Sequence, residues 1–378
     1  MFNFARPTAF LLLGCVAVSN AFANQSGSLT PRVEALENLK ISGSFRLNYS
    51  VKDFDDGQKE RGGDATFNMM TLGVDTQAQG IKFSAQYRWY GFVDTVHHMY
   101  VERDLDNNSS IQAGLIKVPF GILPYESNNF WFGIPYYLGF NDDYDMGLSY
   151  SHSSDKWDIQ VAYFFSSEYS AGNHKRYSFD VVNASNSKNE ESNQLNIRSV
   201  YKFANSEFGF SGQFGQLYNA DTEKNGDQWA VAIHHKANFG RFNTQFEAIS
   251  YEFNPENPAG TSDDSIFVGA FADAYQIASK GNIYVFNVSY DVPINSEIVN
   301  SLKIYNDYSM LEKDGSGFND SVLNTLGAGI SIGSIWINMD FFMAKNVLYI
   351  GGGRDGFAEG QSSNEWNTFF NINAGYYF

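Results

Sequence analysis

Cysteine is nearly absent: Cys15 is the only one in 378 residues. It lies in a leading segment expected to be removed, so neither disulfides nor cysteine–metal sites are expected to hold the chain together. Beyond that segment no apolar run approaches the ~18 residues that a transmembrane helix requires. Basic residues are few, 25 against 42 acidic, for a formal charge of −17. That balance argues against nucleic acid as a partner, because phosphate binding needs a basic face. It also argues against simple attraction to anionic lipid heads. No Walker loop, dinucleotide fingerprint or G-x-S-x-G elbow is present, and nothing points to a cofactor, a resident metal or a catalytic site.

What the chain does contain starts with an export signal. Arg6 precedes an apolar run from Ala9 to Val18, and Ala21-Phe22-Ala23 is an A-x-A cleavage pattern, so residues 1–23 are expected to be a cleaved signal peptide. Leu12-Leu13-Gly14-Cys15 loosely resembles a lipobox, but the apolar core before it is short. Aromatic residues make up 17% of the chain, proline only 8 residues, and mean hydropathy is −0.32. A chain rich in Tyr and Phe yet polar on average suits strands that face lipid with every second residue and water with the others.

The alternation is explicit. From Ile41 to Lys52 every odd position is apolar or Gly and every even one is polar. Ile81, Phe83, Ala85, Tyr87 and Trp89 form another such face, as do Trp157, Ile159, Val161, Tyr163 and Phe165. Successive strand residues point to opposite faces, and no helix of period 3.6 yields these patterns. The runs are about 9 to 13 residues long, near the ~9–11 that a tilted strand needs to cross a bilayer. We place strands near 40–52, 65–78, 80–92, 97–105, 110–117, 144–152, 156–167, 192–204, 207–219, 227–239, 241–253, 281–292, 298–309, 321–332, 334–345 and 365–378. Residues 264–279 are read as a helical stripe (Phe267, Ala270, Phe271, Ala274, Ile277) in a long loop, because a strand there would make the count odd. The expected fold is all-β: a transmembrane antiparallel up-and-down β-barrel of sixteen strands over 40–378, a size that leaves an aqueous lumen. Residues 24–39 are expected to be a short periplasmic helix or coil.

By alternation the inward basic residues include Arg46, Lys82, Arg88, Arg198, Lys202, Lys236, Arg241 and Lys303, expected to line the pore. Asp75, Asp158, Glu247 and Asp340 point inward by the same register, which makes the lining mixed. The third connection on the long-loop side, Val118 to Asp143, is too aromatic to extend into water and is expected to pack inside and narrow the lumen. Its candidate constriction residues are Pro119, Phe120, Gly121, Tyr125 and Glu126. The histidine pairs His97-His98 and His234-His235 are adjacent, so on a strand each pair is expected to split between the two faces and not to share a metal. The acidic excess, including Asp53, Asp55, Asp56 and Glu60, Asp142, Asp143 and Asp145, Glu190 and Glu191, is expected on a solvated outer surface. A sharper expectation is that these loops share divalent cations with lipopolysaccharide phosphates.

Two features resemble known proteins. The last strand carries Phe370, Ile372, Ala374 and Tyr376 on one face and ends on Phe378, which resembles the C-terminal signature by which outer-membrane barrels are recognised. Ala113 to Gly121, reading AGLIKVPFG, resembles the G-x-x-K/R-x-P-F-G segment of the phosphate-selective porin O and P family. The resemblance implies a sixteen-stranded, homotrimeric porin of the bacterial outer membrane, lined by basic residues. Such a barrel is a water-filled passive channel for small hydrophilic solutes or anions, set in outer-membrane lipid and lipopolysaccharide. The family's lysine-rich loop and arginine ladder do not map onto this chain residue by residue, so phosphate preference stays open. Also open are a non-conducting receptor or structural barrel whose loops bind a partner, and an enzyme at the barrel rim.

Overall fold

The computed structural model describes residues 30–184 and 187–378; the expected signal peptide lies outside them. Helix α1 (Thr30–Glu37) leads into β1 (Lys40–Lys52), α2 (Asp56–Glu60), β2 (Asp64–Ala78), β3 (Ile81–Tyr90), β4 (Asp94–Asp104) and β5 (Ser109–Lys117). A long loop containing α3 (Ile134–Tyr137) precedes β6 (Tyr144–Ser153), β7 (Trp157–Ser167), the two-residue β8 (Asp180–Val181) and β9 (Asn189–Phe203). Then come β10 (Ser206–Asn219), β11 (Lys224–Phe239), β12 (Phe242–Asn254), β13 (Ser265–Ala270) and β14 (Asp273–Ala278). The chain ends with β15 (Lys280–Asp291), β16 (Ser301–Lys313), β17 (Ser321–Ile332), β18 (Ile335–Lys345) and β19 (Asn367–Tyr377).

All but β8, β13 and β14 close into one sixteen-stranded antiparallel barrel, sealed by β1 against β19 with Phe45 opposite Tyr376. Closure pairs every edge, which a strand in lipid requires because no water can satisfy a bare N–H or C=O. Outward positions carry Phe45, Phe67, Leu148, Phe210, Ile233, Phe286 and Phe341, all exposed. Tight connections, such as Gly240-Arg241 and Gly333-Ser334, alternate with long ones at the other end. Helix α1 sits at the tight-turn end, where Thr76 Oγ1 donates to Ala35 O at 2.5 Å.

Residues 264–279 are a correction. They form no helix; β13 and β14 make a hairpin turning at Phe271 and Ala272, both at positive φ, and β8 pairs beside β13 with Val181 opposite Val268. The period that wins is two: Ile266, Val268, Tyr275 and Ile277 are buried. The strand count stays even because this hairpin belongs to a separate sheet.

The polarity of the inward face changes along the strands. On β12 it runs Asn243, Gln245 and Glu247, then Ile249, Tyr251 and Phe253, the last three buried. Ile283, Leu311, Leu323, Phe342 and Phe369 sit at matching heights, and with Phe179, Val268, Tyr275 and Phe357 of the long connections they form one apolar cluster. The long-loop end of the barrel is therefore packed with folded-in loops. Polar inward residues lie below it.

Candidate functional site: the lumen and its inward loop

The loop from Val118 to Asp143 crosses the lumen, and the residue types that start it explain how. Phe120 is buried, packing on Phe140 with ring centroids 5.6 Å apart. Gly121 adopts φ +60°, a region that L side chains rarely enter, and a Cβ there would lie 2.2 Å from Glu247 Oε1. That approach lets Gly121 N–H donate to Ser211 Oγ at 3.0 Å and Ile122 N–H to Glu247 Oε1 at 2.9 Å. Arg198 Nε donates to Gly121 O at 2.8 Å. The P-F-G segment is thus a docking point between the loop and strands β9, β10 and β12.

Further along, the loop is tied to the far wall by carboxylates. The Asn128 and Asn129 N–H groups donate to Asp307 Oδ2 at 2.7 and 2.8 Å, and both side-chain amides donate to the same carboxylate. Phe130 N–H donates to Asp340 Oδ2 at 3.2 Å, and Ile134 N–H to Ser309 Oγ at 3.1 Å. Asn287 Nδ2 donates to Glu126 O. Charge-assisted bonds of this kind are about twice as strong as neutral ones. Glu126 folds back within the loop, accepting from Gly133 N–H at 2.7 Å. Burial pushes its carboxyl up to about 7, helped by the charges of Asp307 and Asp142 and opposed by the Gly133 bond. Of the other candidate constriction residues, Pro119 is buried and Tyr125 is 41% exposed.

The candidate lining residues separate into groups. Arg46 and Arg88 project inward from β1 and β3 and pair with no described acid: Arg46 lies over the Phe130 and Tyr377 rings at 5.8 and 5.4 Å, and Arg88 over Tyr177 at 4.4 Å. Lys303, inward on β16 and half-buried, likewise has no ion pair among the described residues. Lys82 is bound by Glu102 and Asp104 at 2.8 and 2.9 Å, nearer the tight-turn end. Lys236 lies 3.4 Å from Glu207 and donates to Leu123 O at 3.3 Å, while Lys202 donates to Ser153 Oγ at 3.3 Å. Arg198 is buried under the loop. Arg241 occupies the exposed two-residue turn between β11 and β12, outside the strands, since alternation stops where the ladder does.

Lys117 was legible only as part of the P-F-G segment, and unlike Arg46 and Arg88 it is paired with an acid. Its Nζ pairs with Asp142 at 2.6 Å, donates to Pro124 O at 3.2 Å and lies over Tyr125 at 5.0 Å. Asp307 and Asn287 were missed altogether, although the register that turns Tyr305 and Ser309 inward also turns Asp307 inward. Two inward acids of the mixed lining, Glu247 and Asp340, are buried acceptors of loop N–H groups. The half-exposed inward side chains of β1 and β3 remain on the opposite side.

Two further expectations are corrected. A β-bulge opposite Gln86 and Tyr87 turns both His97 and His98 inward, and their Nδ1 atoms lie 2.8 Å apart. The extra residue breaks the alternation that would have separated them. His234 and His235 do split, the first buried and inward, the second stacked on Phe208 at 4.4 Å. Asp142, Asp143 and Asp145 are not a solvated surface: they are 2%, 5% and 2% exposed. The segment that carries them closes the inward loop, so its acids are enclosed with it.

No protein-family model matches this chain, and no curated protein does. Solved structures do match, and they are outer-membrane barrels. An anion-selective porin from Comamonas acidovorans aligns with TM-score 0.55 at 12% identity, over 90% of this chain and 99% of that one. Salmonella typhi OmpF, in complex with daunomycin, gives 0.56 at 14% identity, over 90% and 98%. Pseudomonas putida OprB gives 0.59 at 9% identity, over 92% and 96%. At such identities the likeness is one of fold: the porin-type sixteen-stranded barrel.

Proposed function

We propose that this protein is a passive channel of the bacterial outer membrane, passing small hydrophilic solutes with a preference for anions. The observation that carries the reading is the division of charge made by the inward loop. Its backbone N–H groups occupy Glu247, Asp307 and Asp340 on one wall. Arg46 and Arg88 face it across the lumen without acidic partners among the described residues. The Arg46 side chain is half-buried and lies over aromatic rings, not against a carboxylate. Cations on a low-dielectric wall raise the local anion concentration. No bond is made or broken in such a passage, so the side chains need only set size and potential.

The likeness to an anion-selective porin supports the reading, as does the P-F-G segment. A preference for phosphate and assembly into homotrimers are its finer parts, tested by phosphate competition and by native mass spectrometry. One specific observation favours a second reading, a receptor barrel with a blocked lumen: the apolar cluster of folded-in loops at the long-loop end. Single-channel recording in a planar bilayer under a KCl gradient separates the two. Discrete steps with an anion-selective reversal potential are expected, and the potential should move toward cation preference in the R46E/R88E double variant. A folded barrel without conductance would replace the channel by the receptor.

A further inference from the structure

Three carboxylates brought together from separate elements remain unexplained by the channel. Asp143 ends the inward loop, Asp145 is the second residue of β6, and Asp180 lies on β8 in the next long connection. One ligand oxygen from each lies within 4.8 Å of the other two, and all three residues are at least 95% buried. Among the described residues, no other group of three or more His, Cys, Asp or Glu side chains converges so.

Proximity of acids alone would mean little. The second observation is that the Oδ1 atoms of Asp143, Asp145 and Asp180 are each buried without a hydrogen-bond partner among the described residues. Glu168, 9% exposed, has an unpartnered Oε2 as well; its Oε1 accepts from the Tyr177 and Ser178 N–H groups at 2.9 Å. One cation balances this set: Arg176 Nη1, paired with Asp180 Oδ2 at 2.7 Å. Asp142 is already engaged by Lys117 and by the Tyr177 hydroxyl. Four buried carboxylates against one guanidinium leave an excess of negative charge that burial makes costly. Asp307 and Asp340 on the far wall, by contrast, have backbone N–H donors.

We infer that Asp143, Asp145 and Asp180, with Glu168 beside them, bind a calcium ion that staples the end of the inward loop and the following long connection to β6. The donors are all carboxylate oxygens, which select a hard cation over zinc or copper. Calcium accepts irregular sets of ligands at ~2.3–2.6 Å, and two of its ligands can span the observed spacing; magnesium holds its waters more tightly and demands a regular octahedron.

The test uses the refolded full mature barrel in detergent, stripped with EDTA and dialysed. Terbium luminescence sensitised by Tyr144 and Tyr177 should saturate at one ion per chain and be displaced by calcium. Calcium should raise the unfolding temperature. The Asp145→Asn variant should bind about 100-fold more weakly or worse, since a ligand outweighs the 10–100-fold that outer partners are worth. It should also lose the calcium-dependent shift and, with repulsion relieved, unfold no earlier than the EDTA-treated parent. An unchanged parental unfolding temperature in millimolar calcium, or undiminished terbium binding by Asp145→Asn, would overturn the assignment. Should that variant not fold, metal analysis of parental protein prepared without chelator decides: one calcium per chain supports the site, and none refutes it.

Discussion

Gly121→Ala is the sharpest test of how the inward loop is held. The added Cβ would sit 2.2 Å from Glu247 Oε1 and 3.1 Å from its Cδ, at a backbone φ of +60°. The left-handed conformation costs a non-glycine residue about 1–2 kcal/mol. Overpacking adds about 1–3 kcal/mol, because Glu247 is fully buried and has nowhere to retreat. If the carboxylate moves regardless, Ile122 loses an acceptor worth about 1.5–3 kcal/mol. These contributions overlap, so the expected loss is about 3–6 kcal/mol of loop attachment. Gly333→Ala is the control: its φ is +56° but nothing lies within 4 Å of the added carbon, so it should cost only the conformational part, about 1–2 kcal/mol. Urea unfolding in micelles measures the global cost, limited proteolysis of residues 118–143 the local one, and single-channel recording the change in lumen. Faster cleavage and a larger or noisier conductance are expected for Gly121→Ala alone. Equal behaviour of the two variants would refute the docking role of the P-F-G segment.

Other outcomes follow from the same contacts. Asp307→Ala removes the acceptor of two backbone N–H groups and two amides, so loop protection from protease should fall, with about 2–4 kcal/mol lost; unaltered protection would contradict the tether. Glu126 titrates at about 7 when folded, above its ordinary value of 4.5, so the folded protein binds the extra proton. Its contribution is fully present below about pH 4.5 and lost as pH rises through about 7. Loop protection should therefore weaken between pH 5 and 8, and Glu126→Gln should flatten that slope; a slope that survives the substitution assigns it to another group. His97→Leu, which keeps an apolar body between Tyr144 and Tyr177 but removes the His98 contact, should leave conductance steps intact and cost about 1 kcal/mol; abolished conductance would place the bulge in the pore machinery.

The barrel strands were legible because each is set by its own alternation. Ile41 to Lys52 must turn Arg46 and Lys52 to one side and Phe45 to the other whatever its neighbours do. The inward path of residues 118–143 was legible from its aromatic content, which water would not tolerate. Local irregularity was not: nothing in Thr95 to Met99 marks the extra residue that brings His97 and His98 together. The hairpin at 265–278 was missed because the count assumed one strand belonging to the barrel, whereas two short strands pair with each other and with β8 in a sheet of their own.

Charge is where the two levels part. The sequence alone determined that the chain forms a sixteen-stranded barrel and that Arg46, Arg88, Glu247 and Asp340 all point inward, since a period of two is a property of the strand itself. Only the tertiary structure decided that the acids face loop N–H groups while Arg46 and Arg88 lie over aromatic rings with no ion pair among the described residues. Asn129 and Asp307 are 178 positions apart, and a hydrogen bond depends on which atoms closure brings within 3 Å, a relation that no local pattern encodes.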